Sequence, residues 1–222
     1  MNKRKRTFRL LLLLALALWG HTFSCLAQNE NVSAIQRIWH ELPDSLFPTL
    51  SSEKRLEMIV DYSRNFQVPV NDLMESPCMV KSLADDLMEV SLGNHVKYQI
   101  ACLLSETDKA SVKDSLAFVI RTFEYEDKGE SVLWLYSFPK WEKLSASSIL
   151  PADIPVSPDG IIQQNDDEDP LLVSCSLSHE EGGAWVLTVE SAQMFDIKEE
   201  SENLKNNKNL QRVFKWDGKS FK

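Results

Sequence analysis

The chain has 222 residues, 43% of them hydrophobic, with only 7 Gly and 9 Pro, which is the composition of a folded globular protein. Its formal charge of −9 argues against binding to nucleic acid or to anionic lipid, because both would need a basic surface to meet their phosphates.

Residues 1–27 have the pattern of an export signal. Five basic residues between positions 3 and 9 precede an uncharged apolar run, 10–18, which is too short to span a bilayer comfortably. The small residues before Gln28 predict cleavage after Ala27 and a periplasmic or outer-membrane location, with a lipoprotein acylated at Cys25 as the alternative. The chain without its first 27 residues carries 19 Lys and Arg against 33 Asp and Glu, a formal charge of −14 with no transmembrane segment expected.

Three cysteines remain after the signal, namely Cys78, Cys102 and Cys175. An odd number in an oxidising compartment allows at most one disulfide. All three lie in apolar, strand-like runs, so we interpret them as small buried hydrophobic residues, with one disulfide as the alternative.

Two helices are expected first. In the segment 29–41, apolar residues recur every three or four positions after a Ser33 cap. The second helix is expected over 53–65, capped by Ser51 or Ser52. Its apolar positions predict a buried face and a charged face in water. The expected buried residues are Leu56, Ile59 and Val60; the expected exposed residues are Glu53, Lys54, Arg55 and Glu57.

Strands dominate the rest of the chain. Short runs between positions 68 and 93 predict a meander, and longer strands follow at 95–105, 115–125 and 131–138, with a hairpin turn at 126–130. Both faces of 115–125 are mainly apolar, so helices are expected over one face and the C-terminal part over the other. Residues 145–170 are rich in Pro and Ser and are expected to form a connecting segment. Three further strands are expected at 171–178, 184–194 and 211–216.

The predicted fold is therefore α+β, with two N-terminal helices packed on a largely antiparallel multi-stranded sheet and a C-terminal β-hairpin unit. We expect residues 28–222 to form a single domain. Within it, sub-units 28–144 and 171–222 are joined by the connector 145–170.

The stretch from Ile38 to Phe138 resembles a family of exported proteins from Gram-negative anaerobic bacteria known as domain of unknown function 3256. The matching pieces are the segment 42–50 with its two prolines, the helix 55–59, the strand 119–122, and Glu130-Ser131 followed by Tyr136 and Trp141. The segment 71–76 lacks the glycine that family members usually have there. The resemblance implies export and this architecture, and it carries no catalytic residues.

No sequence motif for a catalytic, metal or cofactor site is present. The histidines have no partner at a metal-ligand spacing. Cys175 and His179 would lie roughly 13 Å apart on a strand, too far for a thiolate–imidazole pair. The acidic run 165–169 could hold Ca²⁺, but it lacks the ordered spacing of a calcium loop, so we interpret it as a solvated loop. Among the tryptophans, Trp141 and Trp185 are the candidates for partial exposure and hence for binding.

Two functional hypotheses follow. The first is a non-catalytic periplasmic or envelope interaction module that holds a protein or peptide on a sheet face or edge. The alternative is a hydrolase whose carboxylates converge only in the fold. Its nearest candidate residues are Asp85, Asp86, Glu89, His95 and Glu130.

Overall fold

The computed structural model describes residues 32–65, 69–104, 115–125, 128–154, 156–162, 171–181, 183–193 and 210–222. The predicted signal and the acidic run 165–169 fall outside these ranges. Helix α1 spans Ala34–Glu41, a short 3-10 helix spans Asp44–Leu46, and helix α2 spans Ser52–Ser63. Within the described ranges, no helix has the length and apolar character needed to cross a membrane.

Helix α2 begins as its sequence predicts, but it buries a different face. The Ser51 side chain accepts a hydrogen bond of 3.4 Å from the Lys54 backbone N–H, so the predicted cap is confirmed. The prediction that Arg55 faces water is wrong, because Arg55 is only 1% exposed. Met58 and Ile59 are its buried neighbours on this helix.

In the described part of the chain, ten strands form two sheets. The seven-stranded sheet has the order β1 to β7, and each strand is antiparallel to its neighbours. Its strands are β1 Val70–Asn71, β2 Pro77–Leu83, β3 Leu87–Leu92, β4 Val96–Leu103, β5 Ser115–Tyr125, β6 Lys128–Phe138 and β7 Lys143–Leu144. The three-stranded sheet has the order β10, β9, β8 and is also antiparallel. Its strands are β8 Leu171–His179, β9 Trp185–Gln193 and β10 Leu210–Lys215. The predicted α+β class with a mostly antiparallel sheet is confirmed.

The seven-stranded sheet separates two hydrophobic cores. On one side, Ile35, Ile38 and Trp39 of α1 pack with residues such as Ile100 and Val119. On the other side, the sheet shares a core with the three-stranded sheet and the chain end, where the buried residues include Phe118, Ile120, Leu133, Leu187, Val189 and Phe221. The expected cover on both faces is confirmed, and residues of β8 and β9 share this second core with the sheet.

The first part of the predicted connector contributes side chains to the core. Ile149, Leu150 and Ile154 are buried in the second core. Further on, Ile161 forms an antiparallel bridge with Val132, so the backbone at Ile161 lies beside strand β6 as an additional, isolated bridge of the sheet. This bridge places Ile161 beside strand β6, where the candidate site lies.

Candidate binding site

The helix-facing side of the seven-stranded sheet is uncovered at one end of β5 and β6. On β5, Ala117 and Val119 point to this side and are fully buried. Phe123 follows at the same period of two and is 44% exposed. The helix cover therefore ends between Val119 and Phe123, at the level of Arg121.

Register defines the residues of this uncovered area. Arg121 pairs with Val132 on β6, and Val132 in turn bridges to Ile161. Trp134 lies two residues beyond Val132 and points to the same side. We call this surface the arginine patch; its residues are Arg121, Phe123, Val132, Trp134 and Ile161.

The Arg121 guanidinium lies between two aromatic rings. Its Cζ atom is 4.9 Å from the centroid of the Phe123 ring and 5.1 Å from that of Trp134. Both separations are within the range of a cation–π contact. The Nε atom is buried and has no hydrogen-bond partner among the described residues. The side chain is thus oriented by the two rings, with the Tyr98 hydroxyl as a further polar neighbour.

The exposed side chains around this cation are mostly apolar, with one exposed carboxylate, that of Glu130, which pairs with Phe123 on the same side of the sheet. Ile161 is 50% exposed and Phe123 is 44% exposed, and both belong to the small set of large apolar side chains that face solvent in the described chain. Tyr98 lies beside Arg121 in register but beneath the surface, where its hydroxyl donates to the Leu46 carbonyl at 2.7 Å. Burial raises the pKa of Tyr98, and the nearby Arg121 guanidinium opposes that rise.

Trp141 lies at the other end of β6. Its ring packs against Phe138 at 5.2 Å and Tyr136 at 6.3 Å between centroids, and its indole Nε1 donates to Glu41 at 3.3 Å. Its backbone has a φ of 59°, in the left-handed region that a bulky side chain rarely adopts. Trp141 is half-buried and joins the β6–β7 turn to α1.

Trp185 lies on the opposite side of the seven-stranded sheet. It is 6% exposed in the second core, so the expected partial exposure is wrong. Its ring packs against that of His179 in a tilted arrangement, with the two centroids 4.0 Å apart. The structure therefore does not bring Trp141 and Trp185 into one site, and neither belongs to the arginine patch.

The five hydrolase candidates do not meet in one site. The Gln99 side chain bonds to β8, so it points to the side of the three-stranded sheet, and its register partner Glu89 points to the same side. Glu130 points to the opposite side, towards the helices. Two of the carboxylates already have basic partners. Asp86 pairs with His179 at 3.3 Å, and Glu89 pairs with Lys97 at 3.2 Å.

Asp85, His95 and Glu130 are exposed. Among the described residues, no group of three or more His, Cys, Asp or Glu side chains is arranged to hold a metal ion. These positions thus supply no convergent set of acid, base and nucleophile.

The three cysteines among the described residues are buried and unpaired. Cys78, Cys102 and Cys175 are all free and at most 4% exposed. Burial raises the pKa of Cys78 to about 11 and that of Cys175 to about 12, and it also raises the pKa of Cys102. Their thiols are therefore poor nucleophiles, and they serve as packing residues, as interpreted from the sequence.

One sequence signal for the arginine patch is visible in retrospect. Arg121 interrupts an apolar alternation on one face of β5, between Val119 and Phe123. Ile161 carries no such signal, because its bridge to Val132 joins residues that are distant in sequence. The sequence therefore indicates the strand that carries the cation but not the surface around it.

The fold and this surface define a three-layer α+β protein, with helices on one face of an antiparallel sheet and a second sheet on the other. Residues 27–221 match the family described as Protein of unknown function (DUF3256). The chain belongs to this family, and the match extends well beyond the stretch from which the resemblance was first inferred. No curated protein and no solved structure matches the chain.

Proposed function

We propose that the protein is an exported, non-catalytic interaction module that binds a protein or peptide through the arginine patch. The observation that carries this proposal is the break in helix cover over β5 and β6, which leaves Phe123 and Ile161 about half exposed around a ring-held arginine. Exposed apolar residues grouped around an arginine are a composition typical of protein-binding surfaces.

The distribution of carboxylates supports a binding role over hydrolysis. Glu89 and Glu130 lie on opposite faces of the sheet, and Asp86 is engaged by His179. A pair of hydrolytic carboxylates must face the same substrate, at a separation of about 5–10 Å. The same residues fit a scaffold whose role is to present a surface.

Site-specific photo-crosslinking tests the binding surface. Ile161 and Val213 are matched positions, 50% and 54% exposed, and Val213 lies on the outward side of the three-stranded sheet, paired with Thr188. Each residue is replaced in turn by benzoylphenylalanine in cells that produce the full chain. We expect a discrete crosslinked product from position 161 and none from position 213. Equal crosslinking at both positions, or none at position 161, would contradict the proposal.

Export is tested separately by mass spectrometry of the protein from fractionated cells. The pattern of residues 1–27 supports an N-terminus at Gln28. An acylated Cys25 would instead establish the lipoprotein alternative. An intact N-terminus on protein in the cytoplasm would contradict export itself.

A further inference from the structure

We infer that the arginine patch binds a peptide segment in which a carboxylate is flanked by apolar side chains. This inference rests on the proposed function and specifies its ligand. It combines the two chemistries that the surface presents side by side, a cation with buried Nε and a rim of exposed apolar groups.

The carboxylate requirement follows from comparison with other arginines of the chain. Arg55 and Arg212 each contact a carboxylate, those of Asp44 and Asp153. Arg121 has two rings as neighbours and no carboxylate partner among the described residues. A guanidinium presents paired N–H donors in a planar fork that fits a carboxylate, and rings on either side restrict its rotation. Less conformational entropy is therefore lost when the ligand binds.

The exposed apolar residues beside Arg121 explain why the ligand carboxylate should be flanked by apolar side chains. Phe123 and Ile161 are large, apolar and about half exposed; Phe123 lies two residues along β5 from Arg121, and Ile161 lies across the sheet beyond Val132. Apolar side chains next to the ligand carboxylate would bury this surface. They would also exclude water from the ion pair, which strengthens its electrostatic attraction.

A peptide fits this surface better than an acidic glycan does. Sugars stack on the open faces of aromatic rings, but the rings of Phe123 and Trp134 lie against the Arg121 guanidinium. The rest of the surface consists of the aliphatic Val132 and Ile161 and the single carboxylate of Glu130. The chain after its first 27 residues also has a formal charge of −14, so a polyanion would be repelled along its length while a single carboxylate would be repelled far less.

Selection from a random dodecapeptide library displayed on phage tests the inference on residues 28–222. We expect the selected peptides to be enriched in Asp or Glu flanked by apolar residues. For one selected peptide, changing that acid to its amide should weaken binding by about tenfold or more, the usual effect of losing a charged hydrogen-bond partner. Arg121→Gln should weaken binding to the same degree, whereas Lys140→Gln, at an exposed lysine in the β6–β7 turn, should not.

Two further variants keep the test decisive if Arg121→Gln reduces folding. Phe123→Ser and Ile161→Ser alter only the rim, and each should weaken binding while Val213→Ser does not. Peptides without an acid that still depend on Phe123 would overturn the carboxylate inference but leave the proposed binding function intact. A surface that selects no peptides but binds oligogalacturonate would overturn both proposals, whereas one that selects no peptides but binds a second copy of the chain would overturn only the peptide inference.

Discussion

The side chain of Gln99 forms two hydrogen bonds with the backbone of Leu177, and these bonds join the two sheets. Gln99 Oε1 accepts from the Leu177 N–H at 2.9 Å, while Gln99 Nε2 donates to the Leu177 carbonyl at 3.3 Å. Gln99 is on β4 and only 7% exposed, and Leu177 is on β8. The side-chain amide thus takes the place of a neighbouring strand at the free edge of β8.

Replacing this amide should destabilise the protein strongly. Gln99→Leu keeps the approximate volume but leaves the buried N–H and carbonyl of Leu177 without partners, so we expect a loss of about 2–4 kcal/mol in the free energy of unfolding. Urea denaturation of residues 28–222 measures it. Gln211→Leu is the control, because Gln211 is an exposed glutamine whose bond to Glu190 lies in solvent. Equal effects of the two substitutions would show that the hydrogen bonds between Gln99 and Leu177 contribute no stability.

The sequence predicts the local parts of this structure better than the distant ones. The hairpin of β5 and β6 and the Ser51 cap depend on neighbouring residues, and each was predicted close to its observed position. The burial of Arg55 was missed, because its partners are carbonyl groups of another helix and the turn after it. The arginine patch was missed for the same reason, since Ile161 reaches β6 only through the folded chain.

Arg55 connects the first helix to the second from inside the protein. Its guanidinium donates to the carbonyls of Trp39 and Leu42 at 3.3 and 2.8 Å, and it also contacts Asp44. In return, the Trp39 indole donates to the Arg55 carbonyl at 2.9 Å. Arg55→Met would leave these buried carbonyls without donors, so we expect a loss of about 2–4 kcal/mol in the free energy of unfolding.

The neighbouring lysine provides the matched control. Lys54→Met lies on the same helix but removes only an exposed pair with Glu57, so its effect should stay below about 1 kcal/mol. Asp44→Asn should also cost less than about 1 kcal/mol, because the Asp44 side chain is 74% exposed. Urea denaturation of all three variants separates these cases. A larger effect for Asp44→Asn than for Arg55→Met would place the stabilisation in the ion pair instead of the carbonyl contacts.

Alkaline pH should destabilise the fold through its buried thiols. Burial raises the pKa of Cys175 from 9.0 to about 12, so above pH 9 the unfolded chain loses this proton while the folded chain keeps it. The stabilisation is complete below pH 9 and is lost as the pH rises towards 12. At pH 10.5 this single thiol should lower the free energy of unfolding by about 2 kcal/mol relative to pH 8.

Cys175→Ala isolates this effect from that of other groups that ionise at high pH. The variant should lose about 2 kcal/mol less than the wild type between pH 8 and pH 10.5, whatever the cost of the substitution at neutral pH. Urea denaturation at the two pH values gives the difference directly. An identical change in both proteins would mean that the Cys175 thiol ionises as readily in the folded chain as in the unfolded one.

Gly160 holds the segment that carries Ile161 against β6, and it does so at a position where no side chain fits. Its carbonyl accepts from the Leu133 N–H at 2.8 Å, and a Cβ atom there would lie 2.0 Å from the Leu133 carbonyl oxygen. Its φ is 90°, in the left-handed region. Gly160→Ala therefore combines backbone strain with a clash against backbone, and we expect a loss of at least about 3 kcal/mol in stability.

Gly183 is the control that separates the effect of backbone strain from that of a steric clash. Its φ is 83°, but a Cβ atom there would have nothing within 4 Å, so Gly183→Ala should cost only about 1–2 kcal/mol. Urea denaturation compares the two variants, and a selected peptide reports on the arginine patch. Because Gly160 positions Ile161, Gly160→Ala should also weaken peptide binding under conditions where it remains folded, while Gly183→Ala should bind normally. Normal binding by a folded Gly160→Ala protein would show that the bridge to Val132 does not shape the patch.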